Sequence, residues 1–225
     1  MKYHATLILL TGFCLEVSAQ QLSLSYGRML TYFDYEDSQG NALDNLKGIT
    51  TSSLTAGYQI PIAQKRWYMG AGATYNRYGA KGSDNALDQY YEWDVSYLGV
   101  NVSVDYEFYE QQNFFANQDG FYFYLKASMS TEFMVQGTQR INNDLYSLSK
   151  VEQFDKPAFF LRGGIGANYC VSRRLVVFLQ YMGGKSFLIF GKSSGDNEKL
   201  QYITHSFNFG VLLNLPQCKY CERTF

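Results

Sequence analysis

The sequence predicts an all-β protein, an eight-stranded antiparallel up-and-down transmembrane β-barrel with its apolar face outward. Three observations lead to this class. Eight segments alternate apolar and polar residues with a period of two, which is typical of strands. The links between them are alternately short and long, and the chain begins with an export signal.

The first 19 residues predict a secretory signal peptide. Lys2 supplies its positive start, residues 5–15 form an apolar run too short to span a bilayer, and Val17-Ser18-Ala19 reads as a cleavage site. The predicted mature chain begins at Gln20, and no later run is long and apolar enough for a membrane helix. Membrane insertion is therefore expected through strands.

The composition suits a single β domain. The chain of 225 residues contains 20 Tyr, 17 Phe and 20 Gly, but 3 Pro. Its 19 basic and 20 acidic residues nearly balance, which gives no reason to expect a nucleic-acid partner. The mean hydropathy of −0.24 is compatible with a membrane barrel, because barrel strands are apolar only at alternate residues.

The predicted strands cover residues 21–34, 49–60, 67–78, 93–109, 121–135, 158–171, 175–185 and 201–215. Links after the second, fourth and sixth strands are short or moderate, at 61–66, 110–120 and 172–174. Links after odd strands are long and polar, including GSDNALDQYY and QGTQRINNDLYSLSKVEQFDKP. Outer-membrane barrels have short periplasmic turns and long external loops, so an even strand number places both termini in the periplasm.

The two faces of each strand differ in the way a membrane barrel requires. In the fifth strand one face is mainly apolar and the other polar: Phe121, Phe123, Leu125, Ala127, Met129, Thr131 and Phe133 against Tyr122, Tyr124, Lys126, Ser128, Ser130 and Glu132. The second face of several strands is also rich in small residues, which suits a narrow lumen. A soluble lipocalin-like barrel, apolar inside, is the alternative.

Aromatic residues near the strand ends predict two girdles at the lipid interfaces. The group toward the short turns is Trp67, Tyr68, Tyr106, Phe108, Tyr109, Phe121 and Tyr169. The group toward the long loops is Tyr32, Tyr35, Tyr75, Tyr78, Tyr91, Trp93 and Phe159.

The last predicted strand, NFGVLLNL, resembles the signal by which the barrel-assembly machinery recognises outer-membrane substrates, through Asn208, Gly210, Leu213 and Leu215. It departs from that signal by using Leu where aromatics are usual and by continuing past the strand. The segments YLGVNVSVDYEFYE, GAGATYNRYG and LRGGIGANY resemble the PorT-like and OmpX/OmpA-like eight-stranded outer-membrane barrels of Bacteroidota.

This resemblance covers residues 20–215 and implies residence in the outer membrane of a Gram-negative bacterium. The implied partners are outer-membrane lipid, the barrel-assembly machinery during biogenesis, and a periplasmic or outer-membrane protein. Barrels of this kind serve as anchors, adhesins, secretion accessories and occasionally enzymes, so the resemblance says less about function than about fold.

Strand parity predicts two inward ion pairs. Asp105 faces Lys126 near the periplasmic end, and Glu132 faces Arg162 toward the outer end. An eight-stranded lumen is only wide enough to be filled by side chains, and an unpaired buried charge is costly. The pairs are therefore expected to plug the lumen, with a proton or ion path along these charges as the alternative.

The predicted periplasmic tail, residues 216–225, carries a C-x-x-C formed by Cys218 and Cys221. In an oxidising compartment a disulfide between them is one prediction. Cys170 is predicted to point inward at the periplasmic end, so a cross-link from the tail to Cys170 is the other. Glu222 stands where haem attachment needs a histidine, and two cysteines alone do not make a four-thiolate zinc site.

The remaining polar residues predict no catalysis. His205 is the one histidine after residue 19, and parity places it on the lipid side while its neighbour Ser206 points inward. The acidic residues Asp84, Asp88, Glu92 and Asp94 match no calcium loop, although a divalent cation is the alternative to a solvated loop. No catalytic residue, metal or cofactor is expected.

The function predicted from the sequence is that of a non-catalytic outer-membrane anchor or accessory subunit, of a secretion or surface-assembly complex. A narrow channel, an adhesin and a soluble lipocalin-like binding protein are the alternatives.

Overall fold

The computed structural model describes residues 20–36, 46–63, 66–84, 89–111, 120–149, 156–187, 199–216, 218 and 220–222. The predicted signal peptide and Asp88 lie outside these ranges. The described chain contains nine strands and one 3-10 turn: β1 (Gln21–Glu36), β2 (Lys47–Ala63), β3 (Trp67–Asp84), β4 (Gln89–Gln111), β5 (Phe121–Ile141), β6 (Asp144–Ser147), β7 (Ala158–Cys170), β8 (Leu175–Phe187), β9 (Lys199–Asn214) and the turn Tyr220–Glu222. No helix in this part of the chain is long and apolar enough to cross a membrane.

Eight of the strands close into a barrel of antiparallel neighbours. Consecutive strands pair from β1 to β5, then β5 with β7, β7 with β8, and β8 with β9, and β1 pairs with β9 to close the ring. The short β6 pairs with the end of β5, where residues 138–141 face residues 144–147. The predicted eight-stranded antiparallel barrel is confirmed, and β6 is an addition that the sequence pattern did not predict.

The barrel is apolar outside and polar inside. On β5 the outward side chains of Leu125, Met129 and Phe133 are 50%, 60% and 53% exposed, whereas the inward Ser130 and Glu132 are 5% and 0% exposed. A soluble lipocalin-like barrel needs the opposite arrangement, so that alternative does not fit. The exterior is the face that a lipid bilayer covers in a transmembrane barrel.

The barrel has two different ends. The tail end carries the short links at 64–66, 112–120 and 171–174 together with the chain after β9; the loop end carries the other links. The four-residue link between β7 and β8 is closed by backbone bonds, with Val171 N donating to the Leu175 carbonyl at 2.9 Å. Ser172 Oγ also accepts from the backbone N of Leu175 at 3.1 Å. Such a tight turn fixes the register of the two strands.

The loop end is more regular than the sequence suggests. The polar segment 82–91, predicted as a loop, is mostly strand, because β3 and β4 remain paired up to Asp84 and Gln89. Cross-strand ion pairs support this extension: Arg77 lies 2.6 Å from Asp94, and Lys81 lies 3.0 Å from Glu92. Polar residues on both faces concealed the strand period from the sequence analysis.

The turn between β5 and β6 is held against β4 by Asn142. This residue has a positive φ of 53°, a conformation that asparagine tolerates better than most residues. Its backbone N donates to the Tyr90 carbonyl at 2.8 Å, and its side-chain Oδ1 accepts from the Tyr90 N at 2.8 Å. The β5–β6 hairpin is therefore attached to the barrel wall on two sides.

The aromatic girdles are partly as predicted. Trp67 and Tyr106 form an outward pair at the tail end, with ring centroids 4.6 Å apart. The predictions for Tyr68 and Tyr78 are wrong, because both side chains are buried in the lumen, at 2% and 0% exposure. Each is one residue out of step with the outward ladder of β3, so alternation turns it inward.

Candidate functional site

The loop end of the lumen is crossed by a hydrogen-bonded charge cluster around Glu132. Arg162 donates to Glu132 Oε1 at 2.9 Å, and Tyr78 Oη donates to Glu132 Oε2 at 2.5 Å. Asn76 and Ser130 also donate to Oε1, at 3.0 and 2.6 Å. The carboxylate is fully buried, and these bonds replace the water it would otherwise need. We call these five residues the Glu132 cluster.

Aromatic rings pack against this cluster and complete the layer. The Tyr78 ring stacks on Phe160 at 5.1 Å and on Tyr202 at 5.2 Å. The Arg162 guanidinium lies 4.2 Å from the centre of the Phe160 ring, a cation–π contact. The hydroxyls of Tyr202 and Tyr97 are hydrogen-bonded to each other at 3.2 Å. The four rings are buried, so this layer blocks the lumen with rigid groups.

Below this layer the lumen contains a polar chamber of about 100 Å³. Serine, threonine, asparagine and glutamine side chains form most of its wall. Lys126 Nζ donates to Asp105 Oδ2 at 2.7 Å within it. The other oxygen of Asp105, Oδ1, and Asn101 Oδ1 are buried and have no hydrogen-bond partner among the described residues. A polar space of this size has room for several water molecules, which would satisfy these acceptors.

The tail end of the lumen is closed by the described residues after β9, which fold back under the barrel. Tyr220 is 2% exposed, and its ring packs against those of Tyr68 and Tyr122, with centroids 5.8 and 5.1 Å away. Its hydroxyl accepts from Asn168 Nδ2 at 2.7 Å and donates to Glu107 Oε1. We call Tyr220 and Cys221 the tail plug.

A disulfide fixes the tail plug to the barrel wall. It joins Cys221 to Cys170, the last residue of β7, across 51 residues of sequence, with Cα atoms 5.9 Å apart. The structure thus corrects the local Cys218–Cys221 prediction. Because Tyr220 inserts into the lumen, the next residue is brought beside the inward Cys170. Cys218 takes no part in the bond and packs against the same buried cluster as Cys221.

The structure brings both predicted lumen pairs together. Asp105 meets Lys126 near the tail end and Glu132 meets Arg162 near the loop end, as strand parity and register require. The lumen residues missed by the sequence analysis include Tyr78, Tyr202 and Tyr220. Parity alone could have placed Tyr78 and Tyr202 inside, since each alternates with an outward neighbour. Nothing in the pattern of the tail pointed to Tyr220.

His205 lies on the exterior of β9, on the side where lipid is expected. Its Nδ1 is 2.6 Å from the Tyr181 hydroxyl on the neighbouring β8. The Tyr32 ring approaches it edge-on from β1, with ring centroids 6.4 Å apart. These contacts place the imidazole in an aromatic environment of the kind found at a membrane interface. The inward Ser206 is buried on the opposite face.

Two of the four predicted acidic loop residues, Glu92 and Asp94, have protein cations as partners. Glu92 lies 3.0 Å from Lys81 and 3.9 Å from Arg140, and Asp94 lies 2.6 Å from Arg77. Within the described ranges, no group of three or more His, Cys, Asp or Glu residues is placed to hold a metal ion.

The residues that resemble the signal for the barrel-assembly machinery occupy both faces of β9. Asn208 is inward, where its Oδ1 accepts from Ser53 Oγ at 2.9 Å, and Leu213 is outward and 46% exposed. Gly210 lies inward under the Phe178 ring, and a Cβ at this position would collide with that ring. The strand ends at Asn214, so Leu215 follows it, with its backbone N bonded to the Gln20 carbonyl at 3.0 Å.

Comparison with known proteins gives a likeness of fold. No protein-family profile matches the chain, and no curated protein matches it. Similar solved structures include the outer membrane protein OprG from Pseudomonas aeruginosa, at 15% identity over 88% of this chain and 96% of that one, with a TM-score of 0.45. Neisserial surface protein A follows at 11% identity over 86% and 97%, with a TM-score of 0.43. The attachment invasion locus protein Ail of Yersinia pestis has 13% identity over 87% and 98%, with a TM-score of 0.38. At these values no function transfers to the present chain.

Proposed function

We propose that the protein is a non-catalytic barrel of the outer membrane of a Gram-negative bacterium, with its tail end in the periplasm. In this proposal it serves as an anchor or accessory subunit of a secretion or surface-assembly complex and presents its loop end outward. The resemblance of its sequence to PorT-like barrels motivates the choice of complex.

The observation that carries this proposal is the double closure of the lumen. The Glu132 cluster and its aromatic rings cross the lumen near the loop end, and the tail plug crosses it near the tail end. A buried, fully hydrogen-bonded carboxylate is costly to disturb, so the first layer is poorly suited to opening for solutes. A barrel with a filled lumen offers its rims and its loops for function.

The loop end carries features suited to contact with another protein. The hairpin of β5 and β6 extends the sheet beyond the point where β7 begins, and it is attached to β4 through Asn142. On β6, Leu145 and Tyr146 are 64% and 50% exposed. Exposed apolar side chains on a rigid, polar extension are typical of interaction surfaces.

Co-purification from washed outer membranes tests the proposal. The protein, with an affinity tag before Gln20, is extracted in mild detergent, and proteins that accompany it are identified by mass spectrometry. We expect a stoichiometric partner set that is lost in Leu145→Ser and retained in Ser147→Ala, a matched change on the same exposed strand. Recovery of the barrel alone would contradict the accessory role, and recovery from the soluble fraction would contradict membrane residence.

A further inference from the structure

We propose that Cys218, Cys221 and Cys170 form an exchangeable set. In this set the Cys170–Cys221 disulfide, which joins the tail to the barrel, is replaced by a Cys218–Cys221 disulfide within the tail. This replacement releases the tail plug from its covalent link to the barrel. The inference rests on the fold and the cysteine geometry, and it is independent of the proposed function.

The three cysteines meet at one place in the structure. Cys221 is bonded to Cys170, and Cys218 and Cys221 pack against the same buried cluster, which includes Cys170, Val176 and Tyr220. The backbone N of Cys218 donates to the Leu215 carbonyl at 2.9 Å, which turns the tail toward the barrel wall. Two residues lie between Cys218 and Cys221, and in a tight turn side chains three positions apart lie on the same side.

The exchange needs no external oxidant. The Cys218 thiol gives its proton to solvent, and its thiolate attacks Sγ of Cys221. The new Cys218–Cys221 bond forms as the Cys170–Cys221 bond breaks, and Cys170 leaves as a thiolate that takes a proton. One disulfide is present before and after the step, so the oxidation state of the chain is unchanged.

The tail plug is held differently in the two forms. Before exchange, the disulfide joins Cys221 to β7, and the Tyr220 hydroxyl is hydrogen-bonded to Asn168 and Glu107. After exchange, non-covalent contacts, chiefly those of Tyr220, are what oppose its departure. Loss of the plug uncovers the tail end of the polar chamber, whose wall includes the acceptors Asp105 and Asn101. The cysteines therefore set whether the chamber is covered from this side.

Disulfide mapping tests the proposal on the folded full chain in detergent. The protein is equilibrated in a glutathione redox buffer, quenched with acid and N-ethylmaleimide, and digested, and the ratio of Cys218–Cys221 to Cys170–Cys221 peptides is measured. We expect both species in the wild type. Tyr220→Phe removes hydrogen bonds that favour the docked tail, one of them to a carboxylate, and should raise the ratio about tenfold. Tyr26→Phe, on the outward face of β1, should leave it unchanged.

A second variant keeps the test decisive. Cys170→Ser should form the Cys218–Cys221 bond completely under oxidising conditions, since only these two cysteines remain near one another. Failure to form it would overturn the proposal by showing that the tail cannot close this bond. Detection of Cys170–Cys221 alone in the wild type and in Tyr220→Phe would also overturn it, as would equal ratios in those two proteins.

Discussion

Replacement of Glu132 by glutamine removes the charge at the centre of the Glu132 cluster while keeping the shape of the side chain. The Arg162 side chain is 13% exposed and its ion pair with Glu132 spans 2.9 Å, so Glu132→Gln leaves a buried guanidinium without its counter-charge. Breaking a buried pair in this way costs about 3 to 5 kcal/mol. We expect the free energy of unfolding to fall by that amount.

Urea titration of the detergent-folded barrel, followed by the shift of folded and unfolded bands in unheated gels, measures this change. The matched control is Arg77→Gln, which breaks a pair of similar length whose side chains are 46% and 41% exposed. Exposed pairs contribute about 0.2 to 1 kcal/mol. A double variant, Glu132→Gln with Arg162→Met, should recover part of the loss. A cost for Glu132→Gln no larger than that of the control would refute the account of the loop-end layer.

Three further predictions concern other parts of the lumen. Lys126→Met leaves Asp105 in the chamber without its cation and should lower the free energy of unfolding by about 2 kcal/mol, less than Glu132→Gln because the chamber has room for water around this carboxylate; urea titration measures it. Cys170→Ser removes a cross-link that closes a loop of 51 residues and should cost about 4 kcal/mol by the same urea titration under oxidising conditions. Gly166→Val would collide with the Tyr124 ring and should cost about 1 to 3 kcal/mol by the same titration.

Strand alternation, taken with the alternating link lengths and the export signal, was enough to predict the barrel, and parity then predicted its two inward ion pairs. Because side chains on a strand alternate between faces, one outward residue assigns all the others on that strand. Asp105 and Lys126 then had to share the lumen, and antiparallel register places them opposite each other. The same argument places Glu132 on the inner face of β5 and Arg162 on that of β7, and these lie diagonally across the lumen wall.

Other features depend on contacts that alternation does not specify. Tyr78 was assigned to a girdle from its place near a strand end, although its parity matches that of the inward Asn76. The partner of Cys221 depends on the way the tail enters the lumen, and this is decided by Tyr220 and its hydrogen bonds to Asn168 and Glu107. The continuation of β3 and β4 at the loop end is accompanied by cross-strand ion pairs between residues whose polarity resembles that of a loop.

The central claim is that buried side chains cross the lumen at both ends. Conductance of the purified protein in a planar lipid bilayer tests this claim most directly. The account predicts no discrete conductance steps from the wild-type protein under conditions in which a general porin conducts. Stable, reproducible steps from the wild type would contradict it and would favour the narrow-channel function.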